Sequence, residues 1–382
     1  MGFLKEAWGG VKKYFREADI ALLAMALIAS GFGMTLISSA TLSMGSSRYL
    51  IVQGAAVFLG LIAFVILSLT DLQNFSDLWI WIYVANLLFL ASTRFLGVGG
   101  DSTGNNSWLR FSIFGMSTGL QPAEIGRVAF ILTLSKHMSL LDDRINSPAG
   151  LLQLMIHMIL PVGVILWASD DMGVAASYLV IFLIMLFAGG LHFRYQLIAA
   201  SSMAILGPLA WNFVLKPYQR DRFTIFMHPE ADPLNTGYHT IQSKIAVGAG
   251  QLVGKGLYNG TQTQHSWLPA KHTDFIFSVA GEELGLIGCL AILILLTLII
   301  VKCIHSYIKA GSYFYAMISM GVAAMLIFQT FVNIGMCIGL APIIGITLPF
   351  FSYGGSSMLT MFAAVGLVAS SKPRRVPARL KG

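Results

Sequence analysis

Charged residues are scarce in this chain of 382 residues, where Asp, Glu, Lys and Arg together make up only 11%. Soluble domains are about one quarter charged. Hydrophobic residues instead make up 56% of the chain, and the mean hydropathy is +0.75. The shortage of charge excludes an ordinary soluble fold and indicates an integral membrane protein.

Cysteine is also rare, and the three present, Cys289, Cys303 and Cys337, lie far apart in apolar stretches. Their spacing predicts neither a disulfide framework nor a metal site, so we interpret them as small core residues. The net charge is +7. In a membrane protein, this surplus indicates contact with anionic lipids, and we expect no nucleic-acid partner.

A nucleotide-binding loop is missing, although GAGQLVGKG at 248–256 resembles one. A Walker A loop needs Gly at 249 and Ser or Thr at 256, whereas this chain has Ala249 and Gly256. His265 and His272 are seven residues apart, which is a weak metal signal, and we interpret them as unliganded.

Long apolar runs dominate the rest of the chain. A membrane-spanning helix needs about 20 predominantly apolar residues. Ten runs meet or approach this length: 20–42, 50–69, 78–96, 119–137, 150–168, 173–191, 195–215, 273–301, 312–337 and 350–371. The sequence therefore predicts an all-α integral membrane fold, a bundle of about ten transmembrane helices. The tenth run is rich in small residues, which allow close helix contact.

The positive charges predict the orientation of the bundle. With the N-terminus inside, the inner segments hold 14 Lys and Arg residues, and the short outer loops hold three, Arg48, Arg94 and Arg110. The positive-inside rule thus predicts that both termini are cytoplasmic and that the loop 216–272, between helices 7 and 8, is extracellular. Residues 1–19 are expected to form an amphipathic interfacial helix, 20–371 the transmembrane domain, and 372–382 a basic tail.

The stretch from Pro217 to Gly285 is the one long polar segment, and its cations interleave with aromatic residues. Two interpretations are open: solvated charge beside interfacial aromatics, or a cradle for an anionic lipid head group, since Arg suits phosphate oxygens. The candidate substrate-binding residues are Arg220, Arg222, Lys244, Lys271, His272 and Arg110.

Ionisable residues inside or beside the apolar runs are the other candidates. Glu124 and Arg127 share a helix face at a spacing of three and form either a functional site or a structural ion pair. Asp171 stands at a helix entry, where it favours the helix dipole. Glu282 and Glu283 are adjacent in an apolar run and are expected to join a structural network facing the bundle.

Asp274 lies at the start of the eighth apolar run, shortly after Pro269. Asp at a helix N-terminus is most often a cap. The alternative is a carboxylate at the membrane surface, beside Lys271 and His272, that takes a proton from a hydroxyl. The helix N-terminus and Lys271 are expected to lower the pKa of Asp274, which keeps it ionised but makes it a weak base, unless burial or a nearby anionic substrate offsets them.

Taken together, these segments make the chain resemble the SEDS family of shape, elongation, division and sporulation proteins, and its rod-shape branch (RodA) more than its division branch (FtsW). The resemblance covers nearly the whole chain. Its main blocks are LQPAEIGRVAF (120–130), DDMGVAA (170–176), YQRDRF to GQLVGKGL (218–257), GTQTQHSWLPAKHTDFIFSVAGEELG (260–285) and NIGMCIGLAPIIGITLPFFSYGGSS (333–357).

The resemblance implies a ten-helix peptidoglycan glycosyltransferase of the bacterial cell membrane. Such enzymes polymerise lipid II and work with a class B penicillin-binding protein, a transpeptidase. It also implies that Asp274 is the essential residue, because Asp274 matches the aspartate of the family's HTDF motif. Arg127 stands where the family commonly has Lys, and Met172 and Val174 depart from the family's DLGTA-like block.

The reaction that this resemblance implies is a single inverting displacement. The 4-hydroxyl of one sugar attacks the lipid-linked anomeric carbon of the growing chain, Asp274 acts as general base, and undecaprenyl pyrophosphate leaves. Charge compensation falls to the cations above, with a divalent cation, Mg²⁺ or Mn²⁺, as an open alternative and no firm cofactor. Two other functions stay open: a lipid II flippase, and a non-catalytic scaffold for a penicillin-binding protein.

Overall fold

The computed structural model describes residues 19–99, 106–113, 116–198, 201, 212, 217–233 and 236–371. The predicted amphipathic helix at 1–19, apart from Asp19, and the basic tail at 372–382 lie outside these residues. The first six helices are α1 (Ile20–Leu42), α2 (Arg48–Leu69), α3 (Leu72–Ser76), α4 (Trp79–Ala91), α5 (Thr93–Leu96) and α6 (Pro122–Leu141).

The second half of the chain is equally helical. It contains α7 (Pro148–Ser169), α8 (Met172–Ala188), α9 (Pro217–Met227), α10 (Thr236–Ala249), α11 (Thr261–Gln264), α12 (Ile276–Lys309), α13 (Tyr313–Ile338) and α14 (Gly355–Ser370). Two short 3-10 turns lie at Asp142–Asn146 and Pro229–Ala231. Among the described residues, six helical stretches are long and apolar enough to cross a membrane, and α8 and α14 are shorter apolar helices.

Nine of the ten predicted spans correspond to helices, and the fold is all-α as predicted. The predicted seventh span, 195–215, lies largely outside the described residues. Some boundaries were wrong: α12 begins three residues later and ends eight residues later than predicted, and α14 begins five residues later. The fourth span begins at Pro122, not at residue 119. Proline suits the first helical position because it has no N–H, and an N–H there would find no acceptor within the helix.

A β-hairpin precedes α6, and the prediction of ten helical runs missed it. Strands β1 (Leu109–Ile113) and β2 (Met116–Leu120) pair antiparallel, with Leu109 opposite Leu120 and Arg110 opposite Gly119. An isolated hairpin is marginal in water, so its position depends on packing against the rest of the chain. Strand β2 ends at Leu120, and α6 begins two residues later at Pro122.

The long helix α12 is broken at Gly285, whose φ of +66° suits glycine alone. The loop between α10 and α11 fills the break. Its Gln251 and Leu252 carbonyls accept from the backbone amides of residues 286 and 287, and its amides at 255 and 256 donate to the carbonyls of residues 282 and 283. The helical stretch of 24 residues from 286 to 309, whose charged residues Lys302 and Lys309 lie near its end, is long enough to span a membrane by itself.

Close packing of small residues joins α2 and α14, which make an extensive helix pair. A side chain at Gly60 would collide with the Phe362 ring, and one at Gly366 would collide with the backbone of Phe64. This bears out the expectation that the tenth run makes close contacts. The described core is continuous from α1 to α14.

The polar segment after residue 216 is not a simple solvated loop. It contains α9, α10 and α11, and α10 packs against both α12 and α13. Ser243 of α10 contacts Ser278 through their hydroxyls at 2.6 Å and donates to the Cys337 carbonyl at 2.7 Å. These contacts fix the polar segment against the end of the bundle where α12 begins.

Candidate functional site

Three carboxylates lie at the N-terminal ends of three helices. Glu124 is the third residue of α6, Asp171 is the N-cap of α8, and Asp274 precedes α12 by two residues. The charges of Asp171 and Glu124 both act on Asp274, so the three helix ends meet at one end of the bundle. The segment between α13 and α14 borders them, because the Ile344 carbonyl abuts Gly173 and Gly345 lies near the Asp274 carboxylate.

Asp274 does not cap the helix, contrary to the commonest interpretation of its position. The N-cap of α12 is Phe275, and no side chain makes a cap hydrogen bond there. Within the part of the chain that the structure describes, the Asp274 carboxylate accepts no hydrogen bond. It is nevertheless only partly exposed. An unsatisfied, partly buried carboxylate is available to a substrate hydroxyl.

Burial raises the pKa of the Asp274 carboxyl to about 6, and the negative charges of Asp171 and Glu124 add to the rise. Of the two outcomes expected for this pKa, the structure therefore supports the one in which burial offsets the helix N-terminus and Lys271. Desolvation disfavours the charged carboxylate more than these groups favour it. A base with a pKa of about 6 is still ionised at neutral pH and is stronger than an ordinary aspartate.

Glu124 and Arg127 form the ion pair that their spacing predicts, at 3.4 Å, and both side chains are buried. The hydroxyl of Ser356, in the first turn of α14, donates to the other Glu124 oxygen at 2.9 Å. Asp171 accepts from the Val174 amide at 3.0 Å, which makes it a helix cap. These groups are held by protein partners, in contrast to Asp274.

Glu282 and Glu283 form a different network, directed at the polar segment. Glu282 is fully buried and accepts from the amides of residues 262 and 263, from the Thr263 hydroxyl and from Lys255 at 3.0 Å. Glu283 accepts from Ser39 and from the Gln264 side chain. The pair fastens residues 255–264 to α12 and α1, before the Gly285 break.

Lys271 is only 1% exposed, and its three ammonium donors are all engaged. They reach the Ser43 hydroxyl at 2.7 Å, the Ser266 hydroxyl at 3.1 Å and the Thr263 carbonyl. In this arrangement Lys271 ties the turn before α12 to the end of α1. Its donors are consumed, which removes the basis for proposing it as a pyrophosphate ligand.

His272 lies between the rings of Tyr49 and Tyr353, with centroids 5.1 and 5.5 Å away. Burial, followed by the charge of Lys271, lowers the pKa of His272 to about 4. The imidazole is therefore neutral at physiological pH and cannot supply positive charge to a pyrophosphate. Its place beside two tyrosines favours a packing role.

The remaining candidate cations differ in their surroundings. Lys244 is exposed, and its side chain covers Gly339 at the end of α13. Arg220 donates to the Asn212 carbonyl at 3.1 Å, and Arg110 is exposed on β1. The side chain of Arg222 lies outside the description. Lys244 is the candidate that lies on α10, the helix that packs against both α12 and α13.

The interpretation of the sequence missed the residues that hold the Asp274 turn. Asn333, Ser352 and Tyr353 each donate to a carbonyl of that turn, and Gln53 of α2 binds the backbone at 352 and 354. The first three lie in the block NIGMCIGLAPIIGITLPFFSYGGSS. This block contributed to the family resemblance, but no role was predicted for these residues. A buried polar residue in an apolar helix, such as Asn333, was the available signal.

Across the residues that the structure describes, no three His, Cys, Asp or Glu side chains come together as a metal site. Asp274, Asp171 and Glu124 influence one another by charge, but Glu124 is already paired and Asp171 is already a cap. This donor set does not fit a resident divalent cation, and we derive no step through one.

A bundle of apolar helices with buried carboxylates at one end defines an integral membrane protein with a polar reaction or transport site. A family model described as "Cell cycle protein", named for FtsW, RodA and SpoVE, matches residues 18–375. The chain therefore belongs to the FtsW/RodA/SpoVE family.

Individual relatives agree with this assignment. The peptidoglycan glycosyltransferase MrdB of Escherichia coli K12 is 34% identical over 322 residues, which is 84% of each chain. A probable peptidoglycan glycosyltransferase FtsW of Geobacter metallireducens is 32% identical over 379 residues, 97% of each chain.

Two solved structures share the fold. A chain from the structure "Structural coordination of polymerization and crosslinking by a peptidoglycan synthase complex" is 28% identical, with a TM-score of 0.78, covering 92% of this chain and 97% of that one. The rod shape determining protein RodA of Thermus thermophilus is 25% identical, with a TM-score of 0.68, covering 94% and 98%.

Proposed function

We propose that this chain is a peptidoglycan glycosyltransferase that polymerises lipid II into β-1,4-linked glycan strands, with Asp274 as its general base. The single observation that carries the proposal is the Asp274 carboxylate, which is partly buried, unpaired among the described residues and raised in pKa to about 6. The names of the relatives supply the reaction class.

The chemical step follows from this carboxylate. The acceptor's 4-hydroxyl gives its proton to Asp274 as its oxygen forms a bond to the anomeric carbon of the donor sugar. The bond from that carbon to the pyrophosphate oxygen breaks, and undecaprenyl pyrophosphate departs with the electron pair. One displacement converts an α-linked donor into a β-linked product.

The proposed orientation places the Asp274 end of the bundle outside the cell, with both termini in the cytoplasm. The distribution of Lys and Arg supports this assignment. The proposed partner is a class B penicillin-binding protein. The likeness to a chain from a peptidoglycan synthase complex, in which polymerization and crosslinking are coordinated, supports this choice.

The polar groups also bear on the flippase alternative. A transporter places its key polar groups near the bilayer midplane, between broken helices. Here Glu124, Asp171 and Asp274 all lie at helix N-terminal ends. All three helices extend away from these carboxylates in the same chain direction, which supports a site at one end of the bundle, and not at its middle. A scaffold role predicts instead that Asp274 can be replaced without loss of polymer.

The pH dependence of polymerisation should follow Asp274. Because its pKa is about 6, the base is protonated below that pH, so we expect the single-turnover rate to fall about tenfold per unit below pH 6. Above pH 7, where Asp274 is almost fully ionised, further ionisation of Asp274 should no longer raise the rate. The measurement is glycan formation from labelled lipid II across pH 4.5–8. A rate unchanged down to pH 5 would contradict a base of this pKa.

Lys244 should contribute to binding the pyrophosphate. We expect Lys244→Gln to raise the KM for lipid II about tenfold, because a charge-assisted hydrogen bond contributes about 1.5–3 kcal/mol, and to leave kcat nearly unchanged. The matched control is Lys309→Gln, which removes an exposed lysine at the far end of α12. Equal KM values for both variants would remove Lys244 from the site.

A further inference from the structure

The turn that carries Asp274 is held through three consecutive backbone carbonyls. The Tyr353 amide donates to the His272 carbonyl at 2.8 Å, and the Ser352 hydroxyl donates to the Thr273 carbonyl at 2.6 Å. The Asn333 side chain donates to the carbonyl of Asp274 itself at 2.8 Å. All three donors come from α13 and the segment between α13 and α14.

These carbonyls need outside partners because α12 begins too late to use them. The amides of Ser278 and Val279 both bond to the Phe275 carbonyl, so the Asp274 carbonyl is left out of the helical ladder. A buried carbonyl without a donor is costly. Two donors from α13 reach it: the fully buried Asn333 amide at 2.8 Å and, more weakly, the Cys337 thiol at 3.7 Å.

Asn333 also reaches the other side of the carboxylate. The same amide nitrogen donates to the Ile346 carbonyl at 2.7 Å. The preceding residue, Gly345, has a φ of +67°, and a side chain there would lie 3.8 Å from Asp274 Oδ2. One amide group therefore joins the backbone that bears the carboxylate to the backbone that lines it.

We propose that Asn333 is a positioning residue that fixes the orientation of the Asp274 carboxylate through these two hydrogen bonds. The inference rests on the proposed role of Asp274 as the base. Asn333 touches no substrate, since it is fully buried; it acts through the turn. Misplacing a reacting group by about 1 Å costs about 100-fold in rate, so a loosened turn should be measurable.

The test compares two amides on the same helix. Asn333→Leu removes both hydrogen bonds. Gln329→Leu, one turn earlier, removes an amide that is 1% exposed and has no hydrogen-bond partner among the described residues. Per folded molecule, we expect kcat on labelled lipid II to fall about 30- to 100-fold for Asn333→Leu and less than about twofold for Gln329→Leu. Asn333→Ser, which keeps one donor, should fall in between.

Two further readouts separate positioning from a purely structural role. The KM of Asn333→Leu should stay within about twofold of the parent. The acidic limb of its pH profile should shift to lower pH by at least about half a unit. A released turn lets water reach Asp274, and hydration of the carboxylate lowers its pKa. The titratable and charged groups that face Asp274 are Asp171 from α8, Glu124 from α6 and the Cys337 thiol from α13, with Arg127 paired to Glu124.

The outcomes are distinct from those that test the base itself. The positioning role is overturned if the kcat of Asn333→Leu per folded molecule is within about twofold of that of Gln329→Leu. It is also overturned if the loss of activity appears as a higher KM and not as a lower kcat. If Asp274→Ala also polymerises normally, the assignment of Asp274 as the base fails, and the inference about Asn333 fails with it. If Asp274→Ala is inactive and Asn333→Leu is fully active, only the inference about Asn333 fails.

Discussion

Replacing Asp274 by Ala or Asn should abolish glycan polymerisation, with at least about a 1,000-fold loss of kcat. A positioned general base contributes about 10²–10⁴-fold, and no other described carboxylate near the site is available to replace it. Glu124 is paired with Arg127, and Asp171 caps α8. The measurement is polymer length and yield from labelled lipid II with purified protein in liposomes.

The same variants should be as stable as the parent or more stable. The folded pKa of about 6 lies above the ordinary value of about 3.9, so the folded protein holds the proton more tightly than the unfolded chain. Ionising Asp274 at neutral pH therefore costs stability, and this cost is absent below about pH 4. Asp274→Asn should melt no earlier than the parent at pH 7.5.

The control for this experiment is Asp143→Asn, which changes an exposed aspartate between α6 and α7. It should polymerise at the parental rate. Full polymerase activity in Asp274→Ala would sink the assignment of the base. Lipid II translocation by the parent without polymer would favour the flippase.

Replacing Glu282 by Ala should cause the second large effect, on stability. The fully buried carboxylate accepts from two backbone amides, the Thr263 hydroxyl and Lys255. Each buried donor left without a partner costs about 1–3 kcal/mol. We expect a loss of roughly 3 kcal/mol or more, seen as a lower unfolding temperature and faster proteolysis within residues 255–266.

Glu230→Ala is the matched control, because Glu230 is exposed in the same polar segment. It should change the unfolding temperature little. If Glu282→Ala is as stable as Glu230→Ala and is resistant to protease between 255 and 266, the contacts of Glu282 do not hold the segment to α12. Polymerase activity alone would not decide this point, because activity falls both when the segment unfolds and when a substrate-binding group is lost.

The helices could be predicted well because apolar length is a local property. A run of about 20 apolar residues has few alternatives to a spanning helix, and nine of the ten runs correspond to helices among the described residues. The errors lie where tertiary contacts decide. The break at Gly285 exists because the loop at 250–256 supplies hydrogen bonds to both sides of it.

The candidate site could be predicted only in part. Glu124 and Arg127 pair as their spacing indicates, because i and i+3 share a face of one helix. Lys271 and His272 lie close to Asp274 in the chain, yet the Lys271 ammonium is consumed by Ser43, Ser266 and Thr263. Neighbouring residues in a turn point in different directions, which spacing does not reveal.

The polar stretch that contains Asp274 shows which features could be predicted from the sequence and which depend on the tertiary structure. The order of the amino acids was enough to establish the membrane class, the positions of most spans and the presence of an aspartate where an apolar run begins. Packing in three dimensions decided that this aspartate is no cap, that burial raises its pKa, and that Asn333 holds its backbone. A membrane span can be predicted from the hydropathy of consecutive residues. The hydrogen bond from Asn333 to the Asp274 carbonyl cannot, because Asn333 lies 59 positions away in the sequence, on another helix.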